Sequence, residues 1–209
     1  MSQSQKIAVL SFSGGMDSSS LLFQILTEGY TKVYCYSFDY GQRHSIEIEK
    51  SQELVKALND QGFDVNYQLI NVRDVFSDSQ SAIGANKAEE VPENEYNTEN
   101  LKVTVVENRN VIFSAIIYGK ALALSKKYNA DVDILMGVHN SDEAVYPDCR
   151  PASVNMAKEL YRISNYGSER IDYRAPFVDV TKSQVLKAGL EALAKLGLSS
   201  DMYSHTSSC

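Results

Sequence analysis

Two glycines set among serines and followed closely by an aspartate are the residues of this chain best suited to hold an anion. The run is Ser11-Phe12-Ser13-Gly14-Gly15-Met16-Asp17-Ser18-Ser19. Glycine reaches backbone angles closed to other residues and presents bare N–H groups. Those N–H groups, the hydroxyls of Ser11, Ser13, Ser18 and Ser19, and the positive end of a following helix make a cradle for charged oxygen. Asp17 falls within that cradle, and a carboxylate beside phosphate oxygens makes chemical sense if it helps to hold Mg²⁺ between them. The plainer reading is a strand, a turn and a helix with a serine N-cap.

The flanking pattern supplies the elements that position this loop. Residues 5–12 read as a buried strand, and residues 17–28 as a helix with Leu21, Leu22, Ile25 and Leu26 at helical spacing. Residues 32–38 alternate as a second strand. Helix two starts near Ser45, with Ile46, Leu54, Val55 and Leu58 facing in. A third strand follows at 63–69, and 71–76 begins a short helix. The polar, acidic stretch 77–100 is long for a loop in a compact domain and reads as a lid or an insertion. Residues 103–106 are extended, and Asn110 caps a largely buried helix over 111–127. Further elements are a strand at 133–138, a helix at 151–165, a short strand at 171–174, and a helix over 182–194 capped by Thr181. Strands alternating with helices predict a single domain over 1–209 of α/β class: a doubly wound, mostly parallel sheet with helices on both faces. Such sheets place function outside the carboxyl ends of their strands. The unusual polar loops at 13–19, 39–44 and 139–150 each follow a strand.

The chain has 209 residues, 44% of them hydrophobic, enough for one sizeable core. A net charge of −7 argues against a broad cationic surface for nucleic acid. The three cysteines, Cys35, Cys149 and Cys209, are too few and too scattered for a disulfide framework. Without a signal peptide or an apolar run of membrane-spanning length, a soluble cytoplasmic protein with no membrane partner is expected.

Ser13-Gly14-Gly15-Met16-Asp17-Ser18 resembles the pyrophosphate-binding loop of the N-type ATP pyrophosphatases, whose fold is HUP-like; Walker A is absent. Four further motifs narrow the resemblance. They are Phe38-Asp39-Tyr40-Gly41-Gln42-Arg43-His44; Glu107-Asn108-Arg109-Asn110; Gly137-Val138 leading to Asp142 and Tyr146-Pro147-Asp148-Cys149-Arg150; and Thr206-Ser207-Ser208-Cys209. Together they are similar to the 7-cyano-7-deazaguanine (preQ0) synthase family of queuosine biosynthesis, over the whole chain. The resemblance implies conversion of 7-carboxy-7-deazaguanine and ammonia to the nitrile, with ATP used twice. Adenylation replaces oxide, a hopeless leaving group, by AMP. A homodimer would match the family habit.

The resemblance also implies site residues. ATP falls to Ser11, Ser13, Gly14, Gly15, Met16, Asp17, Ser18 and Ser19, with Gly137 beside them. Asp39 holds an ATP hydroxyl or a metal, or else makes turn bonds. Asp17, Arg43, His44, Arg109 and Lys182 are the expected catalytic residues. For Arg43 the alternative is a surface ion pair, for His44 a satisfied helix-start histidine, for Arg109 a bond to a carboxylate such as Glu107, and for Lys182 a solvated face. Tyr40, Gln42, Arg43, Arg109, Asp142, Tyr146, Asp148 and Arg150 are expected to bind the substrate, the last four with the alternative of a loop tied by its own Asp–Arg pairs. Cofactors are ATP and Mg²⁺, and the family adds Zn²⁺ on four cysteines, of which only Cys209 has a match. That leaves a truncated or processed form, or a subfamily without zinc. The chain departs from the family at Glu107-Asn108, commonly Pro-Gly, and at His139-Asn140-Ser141, commonly Cys-Glu-Thr. Two other readings stand beside the synthase: a related adenylating enzyme with another acceptor in a deazaguanine-linked modification or defence pathway, and a nucleotide-binding partner subunit without turnover.

Overall fold

The computed structural model describes residues 6–42, 46–79, 81, 105–139 and 146–207. Five strands, β1 (Lys6–Ser11), β2 (Lys32–Asp39), β3 (Val65–Asn71), β4 (Asp131–Leu135) and β5 (Ile171–Arg174), form one parallel sheet in the order β3-β2-β1-β4-β5. The helices are α1 (Met16–Leu26), α2 (Ile46–Asp60), α3 (Arg109–Tyr128), α4 (Pro151–Ser164) and α5 (Lys182–Leu196). This is the doubly wound α/β arrangement that the alternating pattern predicts.

β1 lies at the centre because it is apolar on both faces. Ile7 and Val9 pack into one core with Ile117 and Tyr118 of α3 and Tyr161 of α4. Ala8 and Leu10 pack into the other with Leu22 of α1, Leu54 of α2 and Leu193 of α5. A strand period of two sends alternate residues to opposite helical layers. From β1 the chain winds outward through β2 and β3, then returns through α3 to β4 on the other side of β1. That reversal opens a crevice at the carboxyl ends of β1 and β4.

Several boundaries differ from the sequence reading for identifiable reasons. Ile46 is 53% exposed rather than inward. The buried stripe of α2 is Ser51, Leu54, Val55 and Leu58, and a residue five positions before Ser51 lies about 140° around the helix from it. α3 is buried along one face only, through Phe113, Ser114, Ile117, Tyr118, Ala121, Leu124 and Ser125, while Ala115 and Ala123 are exposed. Alanine favours helix as strongly in water as in a core, so apolar content overstates burial. α3 begins at Arg109, so Asn110 is its second residue; Asn108 occupies the N-cap position with a left-handed φ of 56°. β4 ends at Leu135; beyond it Gly137 meets the first turn of α1, while Val138 packs toward α3 and α4. Thr181 does form a capping box with Gln184, whose Oε1 accepts from the Thr181 N–H at 2.8 Å. The expected lid over 77–100 lies, apart from residues 77–79 and 81, outside the described residues.

One buried charge ties the sheet to its flank. Asp133 of β4 accepts from the Tyr30 hydroxyl at 2.6 Å and pairs with Lys6 at 2.9 Å and Arg174 at 3.1 Å. Burial pushes the Asp133 carboxyl upward, but the Tyr30 hydroxyl and the two cations outweigh it, leaving the pKa below the ordinary range. A carboxylate so depressed contributes stability above the unfolded value of about 3.9 and loses it as pH falls through the folded value. Asp133→Asn is expected to cost about 2 kcal/mol at neutral pH. In denaturant titrations the gap from wild type should narrow below about pH 4, and a gap constant with pH would contradict this account.

Candidate functional site

The glycine loop crosses the top of β1 and enters α1 directly. Gly15 is the N-cap, and no side chain caps the helix, so the serine-cap reading does not hold. The first-turn N–H groups of α1 have no intrahelical acceptor and face the crevice end of the sheet. Gly14 has φ 77°, and a Cβ there would lie 2.8 Å from Ser51 Cβ and 2.9 Å from Ser51 N. The loop therefore rests directly on the α2 backbone. Within it, the Ser13 and Ser18 hydroxyls meet at 3.1 Å, and Ser18 Oγ donates to Gly15 O at 3.2 Å.

Asp17 is the second residue of α1, where the helix dipole favours a carboxylate. Its Oδ2 lies 3.4 Å from His139 Nε2, at the exit of β4. Its Oδ1 is buried with no hydrogen-bond partner among the described residues, and so is Ser19 Oγ. Buried polar atoms with capacity to spare are suited to meet an ion, water or ligand. The donor set fits a hard divalent cation shared with phosphate: a carboxylate oxygen with unspent lone pairs beside uncovered N–H groups. Gly137 completes the wall, since a Cβ there would stand 3.3 Å from Ser18 Cα.

A second cluster forms where β2 ends beside α3. Arg109 sits between two rings, its Cζ 5.7 Å from the centroids of both Tyr40 and Tyr146, and its Nη1 donates to the Tyr40 hydroxyl at 3.4 Å. Burial alone would lower the Arg109 pKa. The Tyr40 and Tyr146 oxygens and the Asp148 carboxylate more than offset it, so the guanidinium keeps its charge. Tyr40 is held in turn by Phe76 and Phe113, and Phe113 stacks on Phe38 at 3.9 Å. Asp148 reaches the start of α3, where its Oδ2 accepts from the Asn110 N–H at 3.2 Å. Next to it a small cavity of about 20 Å³ opens between α3, the end of β4 and α4, lined by Val111, Ser114, Val138, Asp148, Val154 and Tyr173.

The structure puts other expected residues to different use. Gln42 spends its amide inside its own loop, accepting from Tyr40 N at 3.0 Å and donating to Phe38 O at 3.2 Å. Asp39 makes the turn bond, accepting from Gly41 N at 3.1 Å, and pairs with Arg73 at 2.8 Å. The Arg73 guanidinium holds the Asp39 carboxyl below its usual range. Arg150 is exposed, and its carbonyl accepts the Val154 N–H at 3.0 Å as the N-cap of α4. Lys182 is exposed in the first turn of α5. Ser11 is half-buried at the end of β1. Arg43, His44, Asp142 and Cys209 lie outside the described residues. Residue-type reasoning did not single out His139, whose one signal was its place at the end of the strand beside the glycine loop. It also gave no role to Arg73 and took Ser207 only as part of the terminal motif; the partners of both are distant in sequence.

A family model described as "Queuosine biosynthesis protein QueC" matches residues 7–209. A protein of Hahella chejuensis named 7-cyano-7-deazaguanine synthase is 38% identical over 185 residues, covering 88% of this chain and 73% of that protein. One of the same name from Caldicellulosiruptor saccharolyticus is 34% identical over 202 residues, 97% of this chain and 80% of that one. Among solved structures, the NH3-dependent NAD synthetase of Campylobacter jejuni has a TM-score of 0.46 at 17% identity, covering 100% of this chain and 71% of that one. The U34-tRNA thiolase NcsA of Methanococcus maripaludis has a TM-score of 0.47 at 15% identity, over 96% of this chain and 62% of the thiolase.

Two substitutions test the geometry without reference to activity. Gly14→Ala forces a left-handed residue against the α2 backbone and should destabilise by about 3 kcal/mol, lowering Tm by roughly 6–12 °C. Asp148→Ala removes the acceptor at the start of α3 and should cost about 1 kcal/mol. Thermal unfolding measures both, and an unchanged Tm in either variant would contradict the contact it removes.

Proposed function

Because the chain belongs to the QueC family of queuosine biosynthesis proteins, we propose that it is an ATP-dependent 7-cyano-7-deazaguanine synthase. The observation that carries this reading is the uncapped start of α1, with Asp17 Oδ1 and Ser19 Oγ buried and unsatisfied beside it. Such a site is built to receive a polyphosphate rather than to complete a fold.

In the proposed chemistry the carboxylate of 7-carboxy-7-deazaguanine attacks the α-phosphorus of ATP and pyrophosphate leaves. Ammonia then displaces AMP, which carries off one carboxylate oxygen, and the amide remains. The amide oxygen is adenylated in turn. Loss of that second AMP, with the protons from nitrogen, leaves the nitrile. The loop N–H groups and the Ser19 hydroxyl hold the departing pyrophosphate, where negative charge accumulates. Mg²⁺, when bound, neutralises part of that charge. Asp17 is the residue that would hold it, and His139 orients the Asp17 carboxylate through the Oδ2 contact. Arg109, charged and clamped between Tyr40 and Tyr146, aligns the substrate's anionic end. Arg43, His44 and Asp142 belong to this proposal on the motif alone, and so does a homodimer.

Zinc has no comparable support. Among the described residues no three His, Cys, Asp or Glu side chains are grouped to hold a metal. No step is routed through zinc.

The test is a product assay: ATP, Mg²⁺, ammonium and the 7-carboxy base, with mass analysis for nitrile and AMP. Wild type should form both. Asp17→Asn should lower kcat/KM by about 10²–10³-fold. Absence of nitrile from wild type, or full turnover by the Asn variant, would overturn the assignment.

A further inference from the structure

The segment after α5 folds back across the glycine loop. Its short 3-10 helix, Ser200–His205, is capped by Ser199, whose Oγ accepts from Asp201 N at 3.1 Å. Tyr203 is its anchor. The Tyr203 hydroxyl meets Ser20 Oγ of α1 at 2.7 Å, and its ring stands edge-on to Phe23 at 5.3 Å. Gly189 of α5 leaves the space it needs, since a Cβ there would lie 1.9 Å from the Tyr203 hydroxyl. His205 lies 3.9 Å from Glu53 of α2. Two residues on, Ser207 pairs with the loop itself: its N–H donates to Gly14 O at 3.0 Å, in a parallel bridge with Gly15. Its hydroxyl oxygen is buried with no hydrogen-bond partner among the described residues.

The Ser207 hydroxyl therefore falls beside the same loop as Asp17 Oδ1 and the Ser19 hydroxyl. A buried hydroxyl whose proton is not spent within the protein can donate it to an incoming acceptor. We propose that Ser207 is part of the phosphate site: its backbone pins the Gly14 peptide, and its hydroxyl donates to the terminal phosphates of a bound nucleoside triphosphate or to pyrophosphate. Tyr203 is a positioning residue that acts through this contact by holding the strap on α1. This inference rests on the ATP site proposed above, and it adds a phosphate ligand from the far end of the chain.

Calorimetric titration with ATP and Mg²⁺, pyrophosphate and AMP tests it, alongside thermal unfolding of the nucleotide-free protein. Ser207→Ala should weaken ATP and pyrophosphate about tenfold while leaving AMP, which lacks the terminal phosphates, unchanged. Ser207→Thr keeps a hydroxyl and should restore most of the affinity. Tyr203→Phe keeps the ring on Phe23 but frees the strap, and should weaken ATP several-fold without unfolding the chain. ATP binding by Ser207→Ala equal to wild type, or an equal loss for AMP, overturns the role of Ser207 and leaves the ATP site standing. Failure of wild type to bind ATP at all overturns both.

Discussion

The structure turns on a place where backbones meet with no side chain between them. Gly14 rests on the first turns of α2, and Gly137 rests on the first turn of α1. A methyl group at either position would intrude on its neighbour, and at Gly14 it would meet peptide atoms that cannot rotate away. The end of β1, the exit of β4 and the starts of α1 and α2 are thereby locked into one arrangement. The crevice that a doubly wound sheet leaves at its reversal point becomes a surface of N–H groups. Ser51 beneath the loop is itself held, donating to Ile48 O at 2.7 Å and meeting the Tyr67 hydroxyl at 3.0 Å, so the floor of the site is as fixed as its rim.

Electrostatically the site runs against the molecule. The chain carries a net charge of −7, yet the crevice presents an uncapped helix start. The local field decides what binds, because charges beyond about 10 Å are largely screened at physiological salt. Asp17 moderates that field and is favoured by the same dipole.

Across the crevice the architecture is aromatic rather than glycine-rich. Phe38, Phe76 and Phe113 form a packed block that fixes Tyr40, and Tyr40 with Tyr146 fixes Arg109. A guanidinium held near two rings loses little freedom when it meets an anion. Asp148 serves the same end by securing the start of α3 through the Asn110 N–H. One side of the crevice thus offers backbone donors for phosphate, and the other a single oriented cation beside a small pocket.

Much of this was legible in the residues alone. The parallel order of strands followed from apolar runs alternating with helical spacing, and the glycine loop followed from a local run of residues whose backbone freedom is a property of their type. Boundaries slipped where composition was counted without direction, as for Ile46 at the start of α2 and the exposed alanines of α3. Side-chain partners were out of reach of sequence reasoning: Gln42 folds onto its own loop, and Asp39 takes Arg73 besides the turn bond expected as an alternative. His139 beside Asp17, Arg109 between two tyrosines and Ser207 on Gly14 could come only from the folded chain. Their partners lie far apart in sequence, and periodicity reports which face of an element is apolar, not which distant side chain the packed sheet brings to it.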